Sequence, residues 1–144
     1  MPVQTFNQNV AVPIPSGPGV VTSTVTVSGT TLPLCKVELL SDITHTFPAD
    51  LDITLSSPNG TIVTLTSDNG GGSDDVFSGT LWDDMANPSG QVPYASNDGM
   101  VTDHTYSTMV TATPLVAEES LGVFLGELAD GVWTLTASDD AGGD

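Results

Sequence analysis

The chain has almost no positive charge. One lysine, Lys36, and no arginine stand against 18 acids, a formal charge of −17 over 144 residues. Such a surface repels phosphate backbones and anionic lipid, which excludes nucleic acid and membrane surfaces as partners. It also resists its own compaction unless salt or cations screen it. Cysteine is nearly absent too: Cys35 stands alone, so a disulfide scaffold is excluded, although export is not. A small buried side chain is the expected role for it, rather than a thiol activated by Lys36. No apolar run approaches the roughly 18 residues of a membrane-spanning helix. The first residues lack a basic region, an apolar stretch and a cleavage site, so no signal peptide is expected there.

Catalytic signatures are missing as well. The sequence contains no G-x-S-x-G, no H-E-x-x-H and no phosphate-cradling glycine loop followed by lysine. His45 and His104 are the only histidines. His45 alternates within a strand-like run and His104 sits in a polar DHTY context, so each is read as hydrogen-bonded to neighbours rather than catalytic. No convincing helix appears either, because no stretch combines a 3.6-residue apolar period with caps.

What is present is strand, turn and aspartate. A 38% apolar content is enough for one core, and 144 residues make one domain, read as spanning 1–144. Residues 1–19 read as an extended lead-in. VVTSTVTV (20–27) alternates branched apolar and hydroxyl residues as a half-buried strand does. CKVELLSDITHTF (35–47) favours strand by its β-branched content. LDITLSS (51–57) puts Leu51, Ile53 and Leu55 on one face, SPNG turns with Pro58 at its second position, and TIVTLTS (61–67) returns. Residues 67–91 read as a Gly-, Asp- and Ser-rich connection. Residues 92–122 look irregular, with short strands near 103–110. VFLGEL (123–128), ADG and VWTLTAS (132–138) read as a final hairpin. Many short strands with regular turn signals imply a β-sandwich or jelly roll.

Aspartate outnumbers glutamate by 14 to 4, which fits turns and hard-cation sites better than exposed helix faces. Asp50 and Asp52 lie on the same side of an extended chain, about 6–7 Å apart at the strand rise. Asp74–Asp75 sit in a glycine-rich loop, and Asp83–Asp84 follow Trp82. Like charges this close cost free energy unless a cation bridges them. Ca²⁺ takes 6–8 oxygens in flexible geometry, and the scarcity of His and Cys argues against zinc. The competing readings are solvated turn residues and adaptation to salty surroundings, and spacing alone leaves all three open.

Three stretches carry a resemblance: HTFPADLDITLSSPNGT (45–61), DNGGGSDDVFSGTLWDDMA (68–86) and DGVWTLTASDDAGGD (130–144). Together they resemble the P domain, or Homo B domain, of kexin- and furin-like proprotein convertases and of secreted bacterial subtilisin-like proteases and metalloproteases. The lead-in VAVPIPSGPGVVTSTVTVSG (10–29) is similar to the start of bacterial members. The resemblance implies a jelly-roll β-sandwich of about eight antiparallel strands, galactose-binding-domain-like. It implies a non-catalytic accessory domain, secreted and bacterial, that stabilises or targets the catalytic domain of a serine-type or metallo endopeptidase. It implies calcium at one end of the sandwich, with Asp50, Asp52, Asp83 and Asp84 matching the family's acids, and Trp133 as a core anchor. From spacing, Asp74 and Asp75 join the candidate metal ligands. No catalytic or other cofactor residue is proposed. The rival is a calcium-dependent carbohydrate-binding or adhesive sandwich, for which Trp82, Tyr94 and Tyr106 are the candidate stacking aromatics.

The family continues past the D-x-A-x-G-D turn into a final strand, whereas this sequence stops at Asp144. The expectation is therefore an open sheet edge beside 132–138, and a homodimer or other edge contact favoured by salt and calcium.

Overall fold

The computed structural model describes residues 3–86, 101 and 104–143. Six strands form two antiparallel sheets: β1 (Gly19–Val27), β2 (Leu39–Asp42), β3 (Leu51–Ser56), β4 (Ile62–Ser67), β5 (Ser78–Trp82) and β6 (Gly131–Asp139). The larger sheet has the order β1-β6-β3-β4 and the smaller pairs β2 with β5. Two 3₁₀ turns, Pro48–Asp50 and Leu121–Phe124, complete the regular structure among the described residues. The all-β sandwich is as the sequence implies, with six of about eight expected strands among the described residues. Residues 111–115 run along β5 as a seventh extended segment, joined to it by a parallel bridge from Leu115 to Trp82.

The β3–β4 hairpin forms because its alternation and its turn agree. Leu51, Ile53 and Leu55 face inward and are buried. The turn closes through Gly60 N–H donating to the Ser57 carbonyl (3.0 Å), with Gly60 at φ +86° where a β-carbon is disfavoured. A register shift between Ile53 and Thr54 leaves Leu65 as an extra residue on β4, so Leu65 and Thr66 are both buried. Pro58 of the turn packs on Gly131, where a β-carbon would come within 2.6 Å of the ring. Trp133, on the inner face of β6, lies edge-on to Phe124 at 5.0 Å, and its indole N–H donates to the Ala129 carbonyl at 2.9 Å. Burying each aliphatic side chain of this core contributes about 1.5–3 kcal/mol.

The structure differs from the sequence reading at five places. VFLGEL is not a strand: Leu121 and Phe124, three apart, are buried on one side of a 3₁₀ turn while Val123 and Leu125 are exposed. A three-residue repeat stacks i on i+3, and tertiary contact with the core selected it over alternation. Of residues 35–47 only Leu39–Asp42 is strand, because Asp75 binds the His45 N–H and draws the chain out of the sheet. β5 lies within the stretch read as connection. Among the described residues of 104–110 there is no strand. Finally, β6 is central rather than beside an open edge, pairing with β1 over nine residues and β3 over six.

Candidate functional site

The acids gather where β3 begins. The 3₁₀ turn Pro48–Asp50 feeds Leu51 into the sheet, and the loop after β4 folds back over it. Ala49 N–H donates to the Gly71 carbonyl (3.3 Å) and Asp68 N–H to the Leu51 carbonyl (3.3 Å). Gly70, at φ +96°, packs on Pro48, where a β-carbon would clash at 2.8 Å. β6 delivers Asp139 and Asp140 to the same end, and Asp140 N–H donates to the Asp50 carbonyl at 3.0 Å. Asp52 is half-buried and sits between Ser67 of β4 and Ser138 of β6.

This end carries no lysine or arginine, since Lys36 lies elsewhere. Asp52 registers the consequence: burial first, then the charges of Asp68, Asp140 and Glu118, raise its carboxyl above the ordinary carboxylate range. Glu118 itself is well supplied, accepting from Ser67 N–H (2.8 Å), the Ser67 hydroxyl (2.8 Å) and the Asn69 amide (2.7 Å).

Two of the remaining acids have structural work. Asp139 is buried and accepts from His45 Nε2 (3.4 Å) and from Ala141 N–H (3.2 Å). His45 Nδ1 accepts from Phe47 N–H at 3.2 Å, so the neutral ring carries its proton on Nε2, toward Asp139. Asp75, in the left-handed region at φ +57°, clamps His45 from the other side through its N–H to the His45 carbonyl (3.0 Å) and its carboxylate to the His45 N–H (2.9 Å). Asp74 lies next to it, its carbonyl accepting from Met109 N–H (2.8 Å). His104 stacks edge-on to Tyr106 at 5.0 Å.

Asp83 and Asp84 are not brought to this end. They follow β5 at its far terminus, and β5 spans about 13 Å at about 3.3 Å per residue. Asp83 meets Lys36 Nζ (3.2 Å) and the Met85 N–H (3.0 Å). Burial pushes its carboxyl up, but those two partners outweigh burial and hold it below the ordinary range. Asp84 caps the 3₁₀ turn, accepting from Leu121 N–H (2.9 Å), Gly122 N–H (2.7 Å) and the Ser120 hydroxyl (2.5 Å). Between them and Leu125 lies a groove of about 360 Å³ that includes Cys35, which is exposed rather than buried as expected.

So the sequence-predicted set divides in two: Asp50, Asp52, Asp74 and Asp75 at one end, Asp83 and Asp84 at the other. Sequence reasoning missed Asp68, Asp140 and Glu118, which surround Asp52 through strand pairing rather than through spacing. Among the described residues no three His, Cys, Asp or Glu side chains converge so as to hold a metal ion. Trp82, a candidate stacking aromatic, is fully buried with its indole N–H on the Ser41 hydroxyl (2.8 Å). Tyr106 is half-buried with its hydroxyl on the Val101 carbonyl (2.6 Å), and Tyr94 lies outside the described residues.

A scan against family models matches residues 34–144 to the proprotein convertase P-domain. Searches of curated proteins and of solved structures find no match. Among the described residues no helix is long and apolar enough to cross a membrane.

Proposed function

The chain belongs to the proprotein convertase P-domain family, non-catalytic accessory domains of proprotein-convertase-like proteases. From that premise we propose that it is a calcium-stabilised accessory domain of a secreted bacterial endopeptidase, serine-type or metallo, whose catalytic domain it stabilises or targets. The observation that carries the calcium reading is the environment of Asp52, a half-buried carboxylate facing Asp68, Asp140 and Glu118 with no lysine or arginine beside them. Asp50, Asp52, Asp68 and Asp140 are the residues that would hold the ion, with Asp74 and Asp75 on the adjoining loop. Because no three of these side chains converge on one point, carbonyl oxygens and water would have to supply most of the six to eight positions Ca²⁺ requires. Bound there, the ion supplies charge neutralisation and ties the β3 turn, the 68–75 loop and the end of β6 together. Asp83 and Asp84 have a different role in this proposal: they fix Lys36 and the 3₁₀ turn.

The sugar-binding alternative has less support. It relied on exposed aromatics, and Trp82 belongs to the core.

Two measurements test the proposal. Chelation with EDTA should lower the melting temperature, with Ca²⁺ restoring it and Mg²⁺ doing so poorly; identical melting curves would remove calcium from the account. Deleting residues 34–144 from the parent polypeptide should shorten the half-life or mislocalise the activity of its catalytic domain. Unchanged activity, half-life and secretion would remove the accessory role.

A further inference from the structure

Among the described residues four strands present a lateral edge, and three of them are guarded. The outer edge of β4 is closed by Glu118 and Glu119, whose N–H groups donate to the carbonyls of Leu65 and Thr64 (both 3.0 Å). Their carboxylates take the N–H groups of Ser67 and Thr64 (2.8 and 2.6 Å). The outer edge of β5 is closed by residues 111–115, with Leu115 N–H on the Leu81 carbonyl (2.8 Å) and the Leu81 N–H on the Thr113 hydroxyl (3.0 Å). β2 is only four residues long, carries Asp42 and has a register break between Ser41 and Asp42. Shortness, charge and bulges are the devices that keep an edge from recruiting another strand.

β1 has none of them. It runs nine residues, pairs with β6 without a register shift, and holds no charge and no proline. Pro18 stops it at one end, and at the other the N–H groups of Gly29 and Thr30 turn to the Asp130 carboxylate (3.0 and 2.8 Å). Among the described residues no segment bonds its outer edge. Among the described residues that edge is a row of alternating N–H and C=O groups without a partner strand, about 30 Å long at about 3.3 Å per residue.

We propose that β1 pairs with β1 of a second copy, antiparallel, about a twofold axis at Ser23. Full overlap between the Pro18 and Gly29 stops fixes the register: Gly19 faces Val27, Val21 faces Val25 and Thr22 faces Thr24. The inward face then sets Val21 against Val25 on both sides of Ser23, and the outward face sets Thr22 against Thr24, both favourable cross-strand pairs. Charge selects this occupant. In a molecule of −17, two copies approach with least opposition where each strand is uncharged along its whole length, whereas a cationic peptide would be drawn to the acidic end instead. One strand edge buries less than the roughly 1,200 Å² of a standard stable interface, so the dimer is weak and depends on concentration. It strengthens with salt, because raising ionic strength from about 0.1 to about 1 M shortens the screening length from roughly 10 to 3 Å. The inference does not depend on the calcium proposal.

Sedimentation of the 144-residue chain across protein and NaCl concentration tests it. The mass should rise from 14.8 kDa toward twice that value, more steeply at high salt. Thr22→Glu with Thr24→Glu places two pairs of carboxylates opposite one another across the axis and should weaken association by about tenfold or more while leaving the melting curve near wild type. Ser23→Cys in a Cys35→Ser background should cross-link two copies on mild oxidation. A strict monomer at every salt concentration, undiminished association of the double glutamate variant, or a Ser23→Cys chain that never cross-links would each overturn the proposal.

Discussion

Asp52→Asn gives the sharpest test of the acidic end, because its effect should change sign with calcium. The amide keeps the size and the strand position of the carboxylate and removes one charge. In the folded protein that charge faces Asp68, Asp140 and Glu118, and its carboxyl is raised above its ordinary value of 3.8 by burial and by these neighbours. A raised acid binds its proton more tightly folded than unfolded. Its contribution to stability is therefore fully present below the ordinary value and is lost as pH rises through the folded one. At neutral pH without divalent cations, the ionised carboxylate is a net cost. Cross-strand like charges cost roughly 0.2–1 kcal/mol each, so relief from three neighbours amounts to about 1 kcal/mol. Unfolding entropy of about 2.1 cal/mol/K per residue gives about 0.3 kcal/mol/K for this chain, so Asp52→Asn should melt about 3 °C higher in EDTA.

Calcium bound as proposed should reverse the order. A ligand at a hundredfold excess over its dissociation constant stabilises the folded state by about 2.7 kcal/mol, which is about 9 °C here. Asp52→Asn should lose most of that gain and melt below wild type. Calorimetry in EDTA and in Ca²⁺, repeated down to acid pH, reads both arms. The EDTA advantage of the variant should vanish as pH falls below the ordinary carboxylate value. A variant less stable than wild type in EDTA refutes the repulsion, and an undiminished calcium response refutes the assignment of Asp52 as a ligand.

Three further outcomes follow from the packing. Ser41→Ala leaves the buried Trp82 indole N–H without its acceptor and should cost about 1–3 kcal/mol; chemical denaturation measures it, and a neutral result would mean another acceptor reaches the indole. Trp133→Ala removes a ring held by Phe124 and Ala129 and should cost about 3–5 kcal/mol, while iodide should quench neither tryptophan in the native protein. Gly131→Ala forces a β-carbon against Pro58 at φ +134° and should destabilise the hairpin, and the added substitution Pro58→Ala should recover only the steric part, leaving the strain in the backbone; full recovery would mean the backbone there is relaxed.

The parts legible in the sequence are those in which neighbours along the chain are also neighbours in space. β1 and the β3–β4 hairpin carry their own alternation, and the hairpin carries its own turn, so Leu51, Ile53 and Leu55 could be assigned to the core at once. β5 was hidden because SGTLW begins with serine and a glycine at φ +82° inside an aspartate-rich stretch. Only its pairing with β2 makes it a strand. Trp82 beside two acids looked exposed, yet its polar edge is satisfied by Ser41, 41 residues away. The candidate site was legible only to the same extent. Adjacent pairs such as Asp83–Asp84 are conspicuous in sequence but turn out to serve Lys36 and a 3₁₀ turn. The acids around Asp52 come from the end of β4, residue 118 and the end of β6, and their proximity is created by register.

That distribution explains how a chain with one basic residue can fold at all. Among the described residues only three acids, Asp42, Asp52 and Asp139, lie in strands, and each sits at or near a strand end. The ladders are built from apolar, hydroxyl and small residues, so strand pairing opposes almost no like charges, and the repulsion is exported to loops where water and salt screen it. Asp139 is tolerated inside because His45 and Ala141 supply donors. Asp52 is the exception, fixed in the ladder between two serines with three acids around it. Like-charge opposition within the sheet is therefore concentrated at one place, the junction of the β3 turn, the 68–75 loop and the end of β6. That junction is where the proposed cation would act, by neutralising Asp52 and the acids around it.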